Sequence, residues 1–213
     1  MDTVKVTDYE IFTKIKNHLL NQNERSMNQQ GDCGYFGLKE SVKEEIRKDL
    51  RDRHMVPLLD EDGEILDDDE YREWEYEETI EEAYSYALEK FVLHDFDDSK
   101  LMRCAVGAII NFEFYDFGIE GSSIAENAVL EAVENSNPNW QITLNGVKML
   151  ECLQNTHDKI VPKNWAWYFS KISELFDGDG NFAVDSSTAY DIMFSIENQF
   201  KAENDGIRPS QYI

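Results

Sequence analysis

The chain has 213 residues, with 44 Asp and Glu against 20 Lys and Arg, and a formal net charge of −24 at pH 7. Apolar residues make up 41% of it, which is enough to build a core and excludes global disorder. No apolar run approaches the roughly 18 residues of a membrane span, and the first residues lack the basic and apolar segments of a secretory signal. We therefore expect neither membrane insertion nor export.

Apolar residues recur at helical spacing along most of the chain. Thr7 and Glu10 form a capping-box pattern, which predicts a helix from that point to the polar run 22–30. Ser123 and Glu126 repeat this pattern before a helix that Asn137 closes. The other predicted helices cover residues 38–53, 70–93, 144–156, 165–176 and 187–203.

Two further caps and one buried segment complete the predicted elements. Thr143 and Asn164 are predicted N-caps of the helices that follow them. Residues 101–110 are weakly polar and are predicted to be buried, as a helix or as a short helix with an extended segment. The side chains predicted to face inward from the helix over 144–156 are Leu144, Val147, Leu150 and Leu153. This pattern predicts a mainly α-helical, single-domain protein of about six to seven helices over residues 1–213.

The acidic residues are concentrated between Met55 and Ser99. This stretch holds 18 Asp and Glu against Arg72 and Lys90, a local charge of −16. Charge concentrated in this way attracts a basic partner and repels nucleic acid and anionic lipid, so we expect no direct nucleic-acid binding. The alternative is a solvated helix face without a partner. On the predicted helix 70–93, the apolar line is Tyr76, Ile80, Tyr84, Leu88 and Phe91, and the opposite line is Glu75, Glu78, Glu82 and Glu89.

The three cysteines, Cys33, Cys104 and Cys152, are widely spaced and are expected to be reduced thiols in a cytoplasm. Cys33 or Cys104 with His157 and Asp158 would suit a nucleophilic hydrolase, in which a base takes the proton of a thiol. No local signature surrounds either cysteine, and Cys104 is more simply a small buried hydrophobe. His157, near a helix end, is predicted to be a charge partner or cap of that end.

No Cys or His spacing is typical of a metal site, and we expect no metal and no cofactor. Residues 177–181 supply Asp177, Asp179 and Asn181 at the first alternate positions of an EF-hand loop. However, Phe182 stands where this loop needs Gly, and Thr188 stands where it needs a bidentate Glu. The segment is therefore predicted to be a turn between helices.

Two separated blocks resemble a family of small uncharacterised proteins of tailed bacteriophages and prophages. The first block is His18-Leu19-Leu20-x-Gln22-Asn23-x-x-Ser26, continuing to Gly31-x-Cys33-x-Tyr35. The second runs from Arg103-Cys104-Ala105-Val106-Gly107-Ala108-Ile109-Ile110 through Tyr115 and Glu120-Gly121 to Leu153-Gln154-x-x-His157-Asp158 and Pro162-x-x-Trp165. In the family the two blocks follow each other closely, so the resemblance implies that residues 36–100 are an acidic helical insertion. It also implies a phage or prophage origin and the bacterial cytoplasm as location.

The working hypothesis is an accessory protein that inhibits or sequesters a basic, nucleic-acid-binding host defence protein without catalysis, through an acidic surface that can mimic DNA. The predicted partner-binding residues are all acidic and lie in the insertion: Asp67, Asp68, Asp69, Glu70, Glu73, Glu75, Glu77, Glu78, Glu81 and Glu82. The alternatives are the cysteine-dependent hydrolase described above and a structural or assembly protein of the phage particle.

Overall fold

The computed structural model describes residues 5–26, 34–54, 80, 82–91, 99–119, 122–185 and 188–204, with residues 51–54 and 117 described by their backbone alone. The mainly α-helical class predicted from the sequence is confirmed. The helices are α1 (Asp8–Gln22), α2 (Glu40–His54), α3 (residues 80 and 82–91), α4 (Asn127–Ser136), α5 (Leu144–Lys159), α6 (Trp165–Ser173) and α7 (Ala189–Glu203). Two short strands, β1 (Phe36–Leu38) and β2 (Leu101–Arg103), pair in a two-stranded sheet.

The chain divides into two compact units. Unit 1 comprises residues 1–26, 33–35 and 103–213, and unit 2 comprises residues 27–32 and 36–102. Unit 2 holds 24 acidic and 9 basic residues, a formal charge of −15, whereas unit 1 holds 20 and 11, a charge of −9. The segment predicted to be an insertion, 36–100, is therefore almost the whole of unit 2.

Unit 1 is built around α1, α5, α6 and α7, with α5 in contact with each of the other three. Helix α1 begins with the predicted capping box, because Thr7 N–H donates to Glu10 Oε2 (2.8 Å) and Glu10 N–H donates to Thr7 Oγ1 (3.2 Å). The core consists of side chains with essentially no exposed surface: Phe12, Ile15, Leu19, Met149, Leu150, Trp165, Tyr168 and Phe169.

Helix α5 buries a face that differs from the predicted one. Thr143 caps it as expected, since its Oγ1 accepts from Gly146 N–H at 3.0 Å. Leu144, however, is 85% exposed, and the prediction that it faces inward was wrong. Residues spaced by three along an α-helix point in directions 300° apart, which is 60° short of a full turn. Over a row of four such residues this shortfall adds up to half a turn, so the first and the last point to opposite sides of the helix. The buried positions recur instead at spacings of three and four residues along one helix face: Gly146, Met149, Leu150, Cys152, Leu153, Thr156 and His157.

The starts of α4 and α6 also differ from the predictions. Ser123 N–H donates to Glu126 Oε1 (2.9 Å), but α4 begins only at Asn127, so this pair closes a turn that precedes the helix. Asn164 makes no side-chain cap bond to α6, because the 3-10 turn Pro162–Asn164 runs directly into the helix. The N-cap of α7 is Thr188, whose Oγ1 accepts from Asp191 N–H at 3.2 Å.

In unit 2, α2 and α3 each bury one side. Val42 and Leu50 are buried on α2, and Ile80 and Tyr84 are buried on α3. Lys39, which follows β1, donates its N–H to Lys100 O at 3.0 Å beside the sheet. The predicted start of the third helix, near residue 70, lies outside the described residues. Among the described residues, no helix has the length and apolar character needed to span a membrane.

Candidate functional site

The described part of α3 has one apolar side and one polar side. Ile80 and Tyr84 are buried, and Glu82 and Glu89, which are seven residues apart and therefore on one side of the helix, are exposed. Neither glutamate forms an ion pair with another described residue. Glu82 and Glu89 are thus accessible to solvent on the polar side of α3. The other nine predicted partner-binding residues, Asp67, Asp68, Asp69, Glu70, Glu73, Glu75, Glu77, Glu78 and Glu81, lie outside the described residues.

The inner side of α3 is held by basic residues of α2. Lys43 Nζ and the Arg47 guanidinium lie 6.0 and 5.6 Å from the centre of the Tyr84 ring, within the range of a cation–π contact. Arg47 also binds Glu40 Oε1 at 2.7 Å and Glu44, and these hydrogen bonds, led by that of Glu40, raise its pKa. Lys43 and Arg47 are therefore engaged by carboxylates of α2 and by Tyr84.

In unit 1, His157 is the centre of a buried polar network. Its ring has no exposed surface and stacks on Trp165, with centroids 5.5 Å apart and planes 29° apart. Ser26 N–H donates to His157 Nε2 at 3.0 Å, and Nδ1 lies 2.8 Å from Asp158 Oδ1. Because Nε2 accepts a hydrogen bond, the ring hydrogen is on Nδ1 and is donated to Asp158, which fixes a neutral tautomer.

This position corrects the role predicted for His157. The residue is in the last turn of α5, as the sequence indicates, but the chain at Ser26 and the Trp165 ring cover it. It therefore acts as an interior hydrogen-bond acceptor rather than as a charge at an exposed helix end. Sequence reasoning could not find this, because the donor is a main-chain N–H 131 residues away.

Two glutamines bind the main chain of residues 103–106, and one of them, Gln154, connects it to the His157 network. Gln22 donates from Nε2 to Arg103 O (3.0 Å) and accepts Arg103 N–H on Oε1 (2.9 Å). Gln154 accepts Val106 N–H on Oε1 (3.4 Å) and donates to Asp158 Oδ1 (2.8 Å). The structure thus brings together the two sequence blocks that carry the resemblance. Within these blocks, the side chains of Gln22, Gln154 and His157 form hydrogen bonds that stabilise unit 1.

The cysteines are placed as follows. Cys104 is buried and its sulfur accepts Gly107 N–H at 3.3 Å, in line with the predicted buried hydrophobe. Burial raises the pKa of the Cys152 thiol to about 12, which keeps it protonated and unreactive near neutral pH. Cys33 lies outside the described residues. The Nε2 lone pair of His157, which a hydrolase would need as its base, already accepts from Ser26, and the hydrolase alternative stays a prediction.

Asp8 is a structural residue that sequence reasoning missed. It is the first residue of α1 and is only 5% exposed. Trp140 Nε1–H donates to Oδ1 at 3.0 Å, and Phe182 N–H donates to Oδ2 at 3.1 Å. The sequence shows Asp8 only as a favourable acid in the first turn. Its partners are more than 130 residues away, so no local pattern identifies them.

The segment 177–181 forms the predicted turn. Asp177 Oδ1 accepts N–H bonds from Asp179 (3.0 Å) and Asn181 (2.8 Å), and Gly180 adopts a positive φ of 80°. These bonds, above all those from the Asn181 side chain and main chain, lower the Asp177 pKa. The carboxylate is thus used by its own turn. Within the described ranges, no three His, Cys, Asp or Glu side chains are grouped so that they could hold a metal ion.

Comparison with known proteins gives no further guide to these surfaces. No protein-family model matches the chain, and neither a curated protein nor a solved structure matches it. The likeness to phage and prophage proteins therefore rests on the two sequence blocks alone and stays a prediction.

Proposed function

We propose that the protein binds a basic macromolecular partner through the acidic residues between Asp67 and Glu82, and that it acts by occlusion without catalysis. The observation that carries the proposal is the exposed position of Glu82 and Glu89 on α3, with no ion pair to another described residue, within a stretch of local charge −16. Given the resemblance to phage and prophage proteins, the partner would be a nucleic-acid-binding defence protein of a bacterial host.

The charge density limits how this surface can imitate DNA. Glu82 and Glu89 are seven positions apart on the helix, a rise of about 10 Å. Duplex DNA carries one phosphate per ~3.4 Å along each strand. A single row of glutamates is therefore sparser than a phosphate strand. The aspartates Asp67, Asp68 and Asp69 and the additional Glu81 would have to raise the density, and this is why we include them in the binding surface.

A basic partner held by such a surface should be released by salt. The screening length falls from ~10 Å at about 0.1 M salt to ~3 Å at about 1 M, so exposed charge pairs weaken strongly over this range. The test is affinity capture from bacterial lysate at both salt concentrations. The wild type is compared with a triple variant in which Glu75, Glu78 and Glu82 are changed to Lys.

The matched control is a triple charge reversal in unit 1, at Glu113, Glu131 and Glu134, which are exposed in the structure. Both triple variants change the net charge by six. We expect a basic protein to be captured by the wild type and the control at low salt only, and by the unit 2 variant at neither concentration. Equal loss of capture in both triple variants would mean that only net charge matters, which would overturn the proposal. Capture that is changed neither by salt nor by the unit 2 variant would also overturn it.

The predicted alternative of a structural or assembly protein is separated by a different measurement. A particle component is abundant in purified virions, whereas an inhibitor acts only inside the cell. Quantitative mass spectrometry of purified particles and of infected cells would therefore distinguish the two, and abundance in particles would contradict the occlusion proposal.

A further inference from the structure

A groove lies on unit 1 between α5, α6 and α7. Its volume is about 450 Å³, within the roughly 300–1,000 Å³ typical of ligand-binding clefts. Tyr168 of α6 lines it, between the second half of α5 and the first half of α7. The polar side chains of its walls are Glu151, Asn155, Lys159, Thr188 and Glu197.

Two aromatic rings at the groove are largely exposed and lie side by side. Tyr190 is 71% exposed and Phe194 is 52% exposed, and their rings stack one helical turn apart with centroids at 6.2 Å and planes at 17°. Neighbouring exposed rings form a small apolar patch, and contiguous apolar patches are where partners and ligands bind. Their open faces can receive a planar group or a cation.

Tyr168 provides a second and independent sign of a ligand. Its side chain has no exposed surface, and its hydroxyl has no hydrogen-bond partner among the described residues. Tyr168 and Glu197 both line the groove, and burial, followed by the Glu197 carboxylate, raises the Tyr168 pKa. A buried hydroxyl without a partner is unfavourable. A ligand that enters the groove and displaces the side chains covering this hydroxyl would supply the missing bond.

The carboxylates favour a cationic ligand. Glu151 makes no ion pair with another described residue, and the amide of Asn155 donates from Nδ2 to Glu151 O (2.8 Å), which leaves Oδ1 as an acceptor. Glu197 is bound to Lys201 at 2.7 Å and can accept further bonds on its second oxygen. Lys159 is the one cation of the lining and can bind a carbonyl group. An anion would also be repelled by the negative charge of the chain as a whole.

We propose that this groove binds an arginine side chain within an extended segment of a protein partner. The guanidinium is planar, stacks on aromatic rings and offers five donors. Tyr190 and Phe194 offer the rings, and the acceptors are Glu151, Asn155 and the Tyr168 hydroxyl. The groove is larger than one guanidinium requires, so it accommodates the neighbouring peptide, with a carbonyl near Lys159. None of these residues belongs to unit 2, so the inference does not rest on the function proposed above.

The test is a titration of the full chain with a capped pentapeptide that has Arg between glycines, followed by heteronuclear NMR of the backbone amides. Two further peptides replace Arg by citrulline, which is neutral with nearly the same shape, or by Lys. Free arginine is the fourth ligand. We expect saturable shifts at the amides of α7 and the end of α5, with the Arg peptide binding at least tenfold more tightly than the citrulline peptide. The Lys peptide should be weaker than the Arg peptide.

Three variants assign the contacts. Tyr190→Ala should weaken the Arg peptide roughly two- to fivefold through the lost cation–π contact, and Glu151→Gln about tenfold through the lost charge-assisted bond. The matched control for the first is Tyr86→Ala, since Tyr86 of α3 is also 71% exposed but lies in unit 2. Tyr168→Phe should weaken binding while leaving the thermal midpoint unchanged or raised, because it removes an unsatisfied hydroxyl.

The proposal is overturned by the absence of saturable shifts, by equal binding of the citrulline peptide, or by equal effects of Tyr86→Ala and Tyr190→Ala. Equal affinity for free arginine and for the Arg peptide would overturn the assignment to a protein segment and point to a small-molecule source. Failure here leaves the salt-dependent capture by unit 2 untouched, since the Glu75, Glu78 and Glu82 variant does not alter the groove.

Discussion

The two units of this protein use polar residues in opposite ways. In unit 1, Asp8 and His157 are buried, and each accepts a hydrogen bond from a main-chain N–H far along the chain. In unit 2, the described acidic residues of α3 are exposed and unpaired among the described residues, while Lys43 and Arg47 of α2 are paired with carboxylates of the same helix. Buried polar groups specify a fold because leaving one unpaired is costly. Exposed, unpaired charges contribute little to stability and are free to meet a partner.

The largest expected effect in unit 1 comes from Gly107→Ala. A Cβ at this position would lie 2.1 Å from the main-chain oxygen of Tyr35. The main chain would have to move to relieve this contact. We expect the free energy of unfolding to fall by more than about 3 kcal/mol. The control is Gly178→Ala, where nothing lies within 4 Å of the added Cβ. Urea denaturation of both variants checks this, and equal stabilities would show that this close approach does not matter.

Removal of the Asp8 carboxylate is expected to be nearly as severe. Asp8→Ala leaves the Trp140 Nε1–H and the Phe182 N–H without their acceptor, and two buried orphan donors cost about 3 kcal/mol together. Asp179→Ala is the matched control, because Asp179 is exposed and its side chain accepts none of the stated bonds. Thermal unfolding followed by circular dichroism measures the difference. A change below about 0.5 kcal/mol for Asp8→Ala would contradict the importance of this contact.

The buried histidine offers a finer test of unit 1. His157→Phe keeps a ring against Trp165 but leaves the Ser26 N–H without an acceptor, so we expect a loss of about 2 kcal/mol. His157→Gln retains an acceptor and should recover part of this loss. Chemical denaturation of the pair, with hydrogen exchange at the Ser26 amide, provides the measurement. If the two variants were equally stable, the acceptor role of His157 would be wrong.

In unit 2 the same kind of change should hardly affect stability. Glu82→Lys and Glu89→Lys alter exposed side chains with no ion pair to another described residue, and we expect changes within about 0.5 kcal/mol. Calorimetry of each variant measures this. Combined with a strong loss of partner capture by the triple variant, the result would separate binding from folding. A large destabilisation would instead place these glutamates among the residues that hold the fold.

The smallest effect is expected at the turn after α6, where the Asp177 pKa is lowered by the bonds from Asn181 and Asp179. Because its pKa is lower in the folded state, the carboxylate stabilises the fold at pH values above its pKa in the unfolded chain, about 3.9. This stabilisation is lost as the pH falls through the pKa of the folded state. Asp177→Ala should therefore differ from the wild type at neutral pH and converge with it in acid. Denaturation at a series of pH values tests this, and a difference that grows as pH falls would contradict it.

Several features of this protein could be read from the sequence because their causes are local. The capping box of α1 joins residues three apart, and the cap of α5 at Thr143 does the same. The turn at Asp177 also bonds within five residues. The polarity of α3 follows from the spacing of Ile80 and Tyr84 against Glu82 and Glu89. The helical class depends on many such local patterns, and it was therefore predictable.

The tertiary structure alone decided which polar residues are interior and where a ligand can enter. The burial of Asp8 and of His157 depends on donors more than 130 residues away, and the outward position of Leu144 depends on which side of α5 its neighbours cover. The groove likewise exists only because α5, α6 and α7 meet with Tyr168 between them. Composition and helical spacing determine charge and element type, because these depend on neighbours in the chain. Burial and cavities depend on neighbours in space, which no local pattern encodes.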